Sequence, residues 1–165
     1  ADVAPTAGCP RRAGRLHGVV HDANTWALGG VAGHAGLFGR ARDVGQWANG
    51  LFVAASGRGA AAHGVPDGGV VRRFWDRAEA GSTGTWALGW DTPTPGSAST
   101  AGLGASASAV GHLGFTGTSV WIDRDQGLVM VLLTNRVAAP GDTQAAMRAF
   151  RTRFHDAVRA ALGRS

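Results

Sequence analysis

Two short segments carry the side chains whose types and spacing could do chemistry. The first is "HDANTWALGG" near the start, with His21, Asp22 and Asn24; the second is "GHLGFTG", with His112, Leu113, Gly114, Phe115 and Thr116. An imidazole beside a glycine on a strand edge suits hydrogen bonding to a reacting group. It is also what an ordinary polar strand start looks like, and Gly114 and Gly117 could equally shape a bulge. Carboxylate and imidazole at His17, His21, Asp22 and His34 are a conceivable metal set, but no H-E-x-x-H occurs. "HGVVHD" does not read as a helix, so hydrogen-bonded loop histidines are the better reading and no metal or other cofactor is expected. Asp22 and Asn24 also fit a bland role, bonding nearby backbone as Asx turns do.

The attacking group is harder to find. No Ser stands in a G-x-S-x-G elbow, and a chain without Lys cannot hold S-x-x-K. Cys9 is the one cysteine, in a Pro/Gly-rich segment without an activating environment, so neither an internal disulfide nor a thiolate zinc site is expected.

Hydropathy patterning shows what must position these residues. Val120 and Ile122 alternate with Trp121 and Asp123, "DRDQG" is turn chemistry, and "LVMVLLTN" is an apolar run suited to a central strand. Together they predict an antiparallel hairpin preceded by a strand or loop carrying His112 to Phe115. Val44, Trp47, Ala48, Leu51 and Phe52 fall at helical spacing and predict a helix over about Ala41–Ala54, with Asp43 in its first turn. Pro66 and Asp67 open a second helix that Gly81 would stop, and "TWALGWDTP" reads as a strand. A final helix starts at Pro140, Gly141 and Asp142, with Ala145, Ala146, Ala149, Phe150, Phe154 and Val158 as its apolar stripe. Residues 1–25 read as an extended approach in need of a partner surface, and "TPGSASTAGLGASASAV" as a low-complexity loop. The sum is an α+β chain, an antiparallel sheet covered by helices on at least one face.

Bulk properties limit the alternatives. A chain of 165 residues suits one domain with a real core. No apolar run nears the roughly 18 residues of a membrane span. The formal charge of +5 comes from Arg alone, which raises nucleic-acid binding as a question. Most of these arginines are scattered, and only the last helix concentrates them, at Arg148, Arg151, Arg153 and Arg159, so a solvated basic surface is favoured and no nucleic-acid partner is expected.

The segments "GVVHDANTWALGGVAGHAGLFGRARDVGQWANGLF" and "GHLGFTGTSVWIDRDQGLVMVLLTNRV", with "LGWD" between them, resemble the C-terminal half of the β-lactamase-related serine hydrolases. That group holds class C β-lactamases, D-alanyl-D-alanine carboxypeptidases and related esterases. Within it the chain is most similar to the branch with "VHDxNA" and "GGVAGHAGLF" motifs, which includes peptidoglycan-turnover amidases. The resemblance implies a β-lactamase/transpeptidase-like fold over 1–165, a single partial domain from which the nucleophile-bearing half is missing. It implies acyl-enzyme hydrolysis of a cell-wall peptide amide, a β-lactam or a small ester, without a metal. By position, His112, Leu113 and Gly114 match the family's third motif, so His112 would face the nucleophile network or a substrate carboxylate. The Phe115 backbone N–H would serve the oxyanion hole, and Gly114, Thr116, His21, Asp22 and Asn24 would line the substrate cleft. Leu113 replaces the commoner Thr or Ser and removes a hydroxyl that could bind a carboxylate; Thr25 replaces the usual Ala. His34 would be structural.

The same resemblance implies that this chain alone is inactive, that its missing partner half would cover an exposed apolar face, and that its place is the cell envelope. A catalytically silent binding domain for cell-wall peptide or a partner protein is the competing expectation.

Overall fold

In the computed structural model, residues 3–9, 12, 14–59, 63–77, 84–94, 99–141 and 143–164 are described. In chain order they form β1 (Pro5–Cys9), β2 (Gly14–His17), α1 (Ala23–Ala27), α2 (Ala41–Ser56), α3 (Gly68–Phe74), β3 (Val110–Leu113), β4 (Ser119–Asp123), β5 (Leu128–Leu132), a 3-10 turn (Arg136–Ala138) and α4 (Gln144–Ala161). The architecture is α+β with two small antiparallel sheets, β1-β2 and β3-β4-β5.

The predicted hairpin is β4-β5, pairing Ser119 with Leu132 and Asp123 with Leu128; β3 adds on the other side, His112 opposite Val120. Alternation along the strands then divides the core between two faces. Val110 and Ile122 join Ala48 and Leu51 of α2 and Val71 and Trp75 from the α3 segment. Trp121 and Met130, on the opposite face, pack with Ala101, Ala109, Leu113 and Val158 of α4. The sheet is therefore covered on both faces. The glycine at 111 is fixed by this packing, because a Cβ there would run into the Trp121 ring and the Val120 carbonyl.

α2 follows its predicted spacing and runs two residues further, to Ser56, where Gly57 closes it at φ +67°. Asp67 caps α3 by accepting from the Gly69 amide at 2.7 Å, and the helix ends at Phe74; the stop expected at Gly81 lies outside the described residues, as does Asp142 ahead of α4.

Three expectations are corrected. Where an extended approach was expected, β1 and β2 pair antiparallel and pack within this chain: Thr6, Ala7 and Leu16 are buried, β1 packs on the 3-10 turn, and the Asn135 amide donates to the Pro5 carbonyl. The "TWALGWDTP" segment is a tight bend, with the Ala87 amide donating to the Trp90 carbonyl at 2.7 Å and Thr92 to Thr85 at 2.9 Å. Gly89, at φ +75°, permits the bend, so only Asp91 reaches the sheet, bridging Gly111.

The third correction concerns α4. Its buried residues are Arg151, His155 and Arg159, while Ala145, Ala146, Ala149 and Phe150 of the expected apolar stripe are exposed. Polar side chains win this face because what lies beneath them is backbone carbonyl. Arg159 donates to the Ala101 carbonyl at 2.6 Å and to Asp123 at 3.3 Å, His155 Nδ1 lies 2.8 Å from the Thr100 carbonyl, and Thr152 donates to Ser99 at 3.0 Å. Each buried acceptor would otherwise lack a donor, at a cost of about 1–3 kcal/mol. Residues 99–101 of the low-complexity loop are thereby clamped to α4.

Candidate active site

β3 is the edge of its sheet. At its start the edge is closed, since Gly111 and Asp91 exchange both backbone hydrogen bonds at 2.8 and 2.9 Å. Backbone groups alternate in direction along an antiparallel strand. Gly111 points outward to Asp91, and Gly114 points inward, its amide donating to the Thr118 carbonyl at 2.8 Å. The Leu113 backbone therefore points outward, onto the open part of the edge, and Phe115 follows in the turn that leaves β3. Among the described residues no acceptor takes the Phe115 amide.

The His112 side chain is exposed on the α2/α3 face of the sheet, edge-on to Trp86 with ring centroids 5.6 Å apart. Leu113 turns to the opposite face and packs into the α4-side core. At Gly114 the requirement for glycine is internal: a Cβ would collide with the Thr118 hydroxyl. Gly117, at φ +102°, closes the turn by donating to the Gly114 carbonyl at 3.0 Å.

The other predicted segment reaches this turn through one residue. His21 stacks on Phe115, with ring centroids 5.5 Å apart and planes at 15°. Arg12 holds the His21 backbone in place, donating to the Val20 and His21 carbonyls at 2.8 and 2.5 Å. Asp22 is turned inward to its own loop. Its Oδ1 accepts from the Thr25 amide at 2.7 Å as the N-cap of α1 and lies 3.1 Å from His34 Nε2, which is also 3.1 Å from the buried Thr25 hydroxyl. The Thr25 amide, then His34, hold the Asp22 carboxyl down at about 2. Thr25 thus has a packed, bonded place where the branch motif carries Ala. Asn24 is exposed, its carbonyl accepting from Leu28 at 3.0 Å. The structure brings His21 to the Gly114–Phe115 turn, whereas Asp22 belongs to the α1 cap. Among the described residues no group of three His, Cys, Asp or Glu side chains is placed to hold a metal ion.

Sequence reasoning passed over two arginines. Arg136 donates through Nε to the Phe115 carbonyl at 2.6 Å, and its guanidinium lies 4.4 Å from the Phe115 ring centroid. Arg151 reaches the same turn from α4, donating to the Gly114, Gly117 and Thr118 carbonyls at 2.8, 3.1 and 2.9 Å. Burial, and then the nearby Arg136 charge, lower the Arg151 pKa from its usual range. The two guanidiniums line a cavity of about 240 Å³ behind the turn, together with Leu113, Gly114, Phe115, Gln144 and Met147. A signal for Arg151 was available, because Arg151, His155 and Arg159 recur every four residues down one helical face.

A family model described as Beta-lactamase matches residues 3–153, nearly the whole described chain and both motif segments. The chain belongs to the β-lactamase family. Similar members include proteins named "Putative D-alanyl-D-alanine carboxypeptidase" from Salmonella agona (strain SL483) and Salmonella typhi, each 36% identical over 131 residues, 78% of this chain. That alignment covers 29% of those relatives, so the β-lactamase-family segment described here spans less than a third of their length. No solved structure matches it significantly. No helix among the described residues is long and apolar enough to cross a membrane.

Proposed function

We propose that these 165 residues form one wall of a serine hydrolase site, a single partial domain whose nucleophile is supplied by sequence outside them. Family membership and the carboxypeptidase names of the relatives support hydrolysis through an acyl-enzyme, with a cell-wall peptide amide, a β-lactam or a small ester as substrate. The observation that carries the reading is the Phe115 amide, without an acceptor among the described residues, in the turn that directly follows edge strand β3.

In this reading the Phe115 N–H donates to the oxyanion formed when a Ser hydroxyl attacks the substrate carbonyl. Loss of one such donor costs on the order of 10²–10³ in rate. His112, exposed beside Trp86, faces the nucleophile network or a substrate carboxylate. Gly114 keeps the turn tight enough to present the amide, and Thr116 and His21 border the substrate. Asp22 acts on the cleft through α1, and exposed Asn24 is free to meet substrate. The sequence lacks both S-x-x-K and a Tyr, so the proton-handling groups also come from outside the chain.

The experiment is covalent labelling of the full-length protein and of residues 1–165 with a fluorophosphonate and a fluorescent penicillin, followed by peptide mapping. Labelling of the full-length protein at a Ser outside these residues, with none on residues 1–165, is expected. A label on any residue from 1 to 165, or none on the full-length protein, overturns the proposal.

A further inference from the structure

All five consecutive carbonyls of the Gly114–Thr118 turn are held by donors, and two arginines supply most of them. Gly114 O takes Arg151 Nη2 at 2.8 Å and the Gly117 amide at 3.0 Å; Phe115 O takes Arg136 Nε at 2.6 Å. Thr116 O takes the Arg136 amide at 2.8 Å, Gly117 O takes Arg151 Nε at 3.1 Å, and Thr118 O takes Arg151 Nη2 at 2.9 Å and the Gly114 amide at 2.8 Å. Arg151 is only 8% exposed and comes from α4, more than thirty residues along the chain from each of its three acceptors.

The consequence lies in the peptide plane. In a trans peptide the C=O of one residue and the N–H of the next point in opposite directions. None of the described peptide bonds is cis. A Gly114 carbonyl tied to Arg151 therefore turns the Phe115 N–H away from α4, and a Phe115 carbonyl tied to Arg136 turns the Thr116 N–H away from Arg136. Neither amide has an acceptor among the described residues. A cation on the carbonyl oxygen also polarises the peptide, making its N–H a better donor to a developing negative charge.

We propose that Arg151 is a positioning residue for hydrolysis, holding the Gly114–Phe115 peptide so that the Phe115 amide meets the oxyanion, with Arg136 doing the same for the next peptide. This rests on the hydrolase reading above and adds a role that no motif in the cleft carries. It also accounts for a buried arginine on α4 where an apolar stripe was expected. Without Arg151 the Gly114 carbonyl keeps the Gly117 amide within the turn but loses its tie to α4, and the Phe115 amide samples orientations that miss the oxyanion.

The test uses the full-length protein, with Arg151→Met, Arg151→Lys and Arg136→Met. Two readouts are taken: steady-state kinetics on an ester and its matching thionoester, and the Phe115 amide resonance after selective ¹⁵N-phenylalanine labelling. Arg151→Met should lower kcat about 10²-fold with KM within about threefold, and shrink the preference for oxygen over sulfur substrate by a similar factor. Its Phe115 amide should shift and exchange faster, with Arg151→Lys falling between it and the unsubstituted protein. Arg136→Met, at a partly exposed site, provides the same comparison should Arg151→Met fail to fold. A folded Arg151 variant with unchanged kcat, unchanged oxygen preference and an unmoved Phe115 amide overturns the proposal. An inactive parent protein would defeat the hydrolase reading, and the amide resonance alone would then decide whether Arg151 sets the peptide.

Discussion

His21 and Phe115 lie face to face, their ring centroids 5.5 Å apart, so the "HDAN" loop and the "HLGF" turn share one surface although 94 positions separate them. An aromatic contact of this kind contributes about 0.5–1.5 kcal/mol. Phe115 is 66% exposed, so the contact orders a cleft wall more than it holds the fold. In the full-length protein, Phe115→Ala keeps the backbone amide, and should therefore raise KM severalfold while leaving kcat within about threefold. A kcat loss comparable to that expected for Arg151→Met would assign catalysis to the ring and remove the amide from the argument.

Gly114 and Thr118 make a paired prediction. The Cβ of Gly114→Ala would meet the Thr118 hydroxyl, and overpacking of this kind costs about 1–3 kcal/mol. Thr118→Ala removes that hydroxyl. Denaturant unfolding of both single variants and the double variant should show a favourable coupling, the double being more stable than Gly114→Ala alone. Simple additivity would mean that something other than this collision demands the glycine.

Arg159 and Asp123 form a buried pair at 3.3 Å, both nearly without solvent contact. Asp123 also accepts from the Ser106 amide at 3.0 Å and Gln126 at 3.2 Å, so its charge is well supplied with donors. Arg159→Met leaves a buried carboxylate without its cation and should cost about 3–5 kcal/mol. The double variant Arg159→Met/Asp123→Asn should recover part of that loss. Chemical denaturation measures both, and a loss below about 1 kcal/mol for Arg159→Met would contradict the pairing.

His155 sets a pH dependence of stability. It is fully buried between the Thr100 carbonyl and the Ser119 hydroxyl, with Arg151 and Arg159 on its own helix and Asp156 beside it. Burial is the largest influence and lowers its pKa below the ordinary imidazole range; the Thr100 contact opposes this, and the arginine charges reinforce it. The folded state therefore binds this proton less readily than the unfolded state. Its contribution is fully present above about pH 6.5 and is lost as pH falls toward the lowered folded value. Unfolding free energy should drop between about pH 7 and pH 5, and His155→Gln should flatten that segment. An unchanged slope in the variant would place the dependence elsewhere.

Much of the positioning framework was legible in the sequence. The β4-β5 hairpin, α2 and the Asp67 cap of α3 each follow from a local pattern: alternation of period two, apolar residues at helical spacing, a carboxylate one residue before a helix. Such signals sit within a few residues, so neighbouring side chains suffice to decide them. The motifs that place the chain in the β-lactamase family were equally visible, because they too are short and contiguous.

Other features depended on contacts between distant segments. The polar inward face of α4 was decided by carbonyls from Ser99–Ala101 and Gly114–Thr118; the recurrence of Arg151, His155 and Arg159 every four residues marks a shared face but not what that face meets. Asp22, for which the sequence left cleft lining and backbone bonding both open, caps α1 through Thr25 and meets His34, and "TWALGWDTP" became a bend because Gly89 lets it close on itself. The Gly114 carbonyl, whose direction sets that of the Phe115 amide, is held by Arg151 from α4 as well as by the Gly117 amide within the turn. A donor and its acceptor must meet in space, and for these pairs only the folded chain brings them within hydrogen-bonding distance.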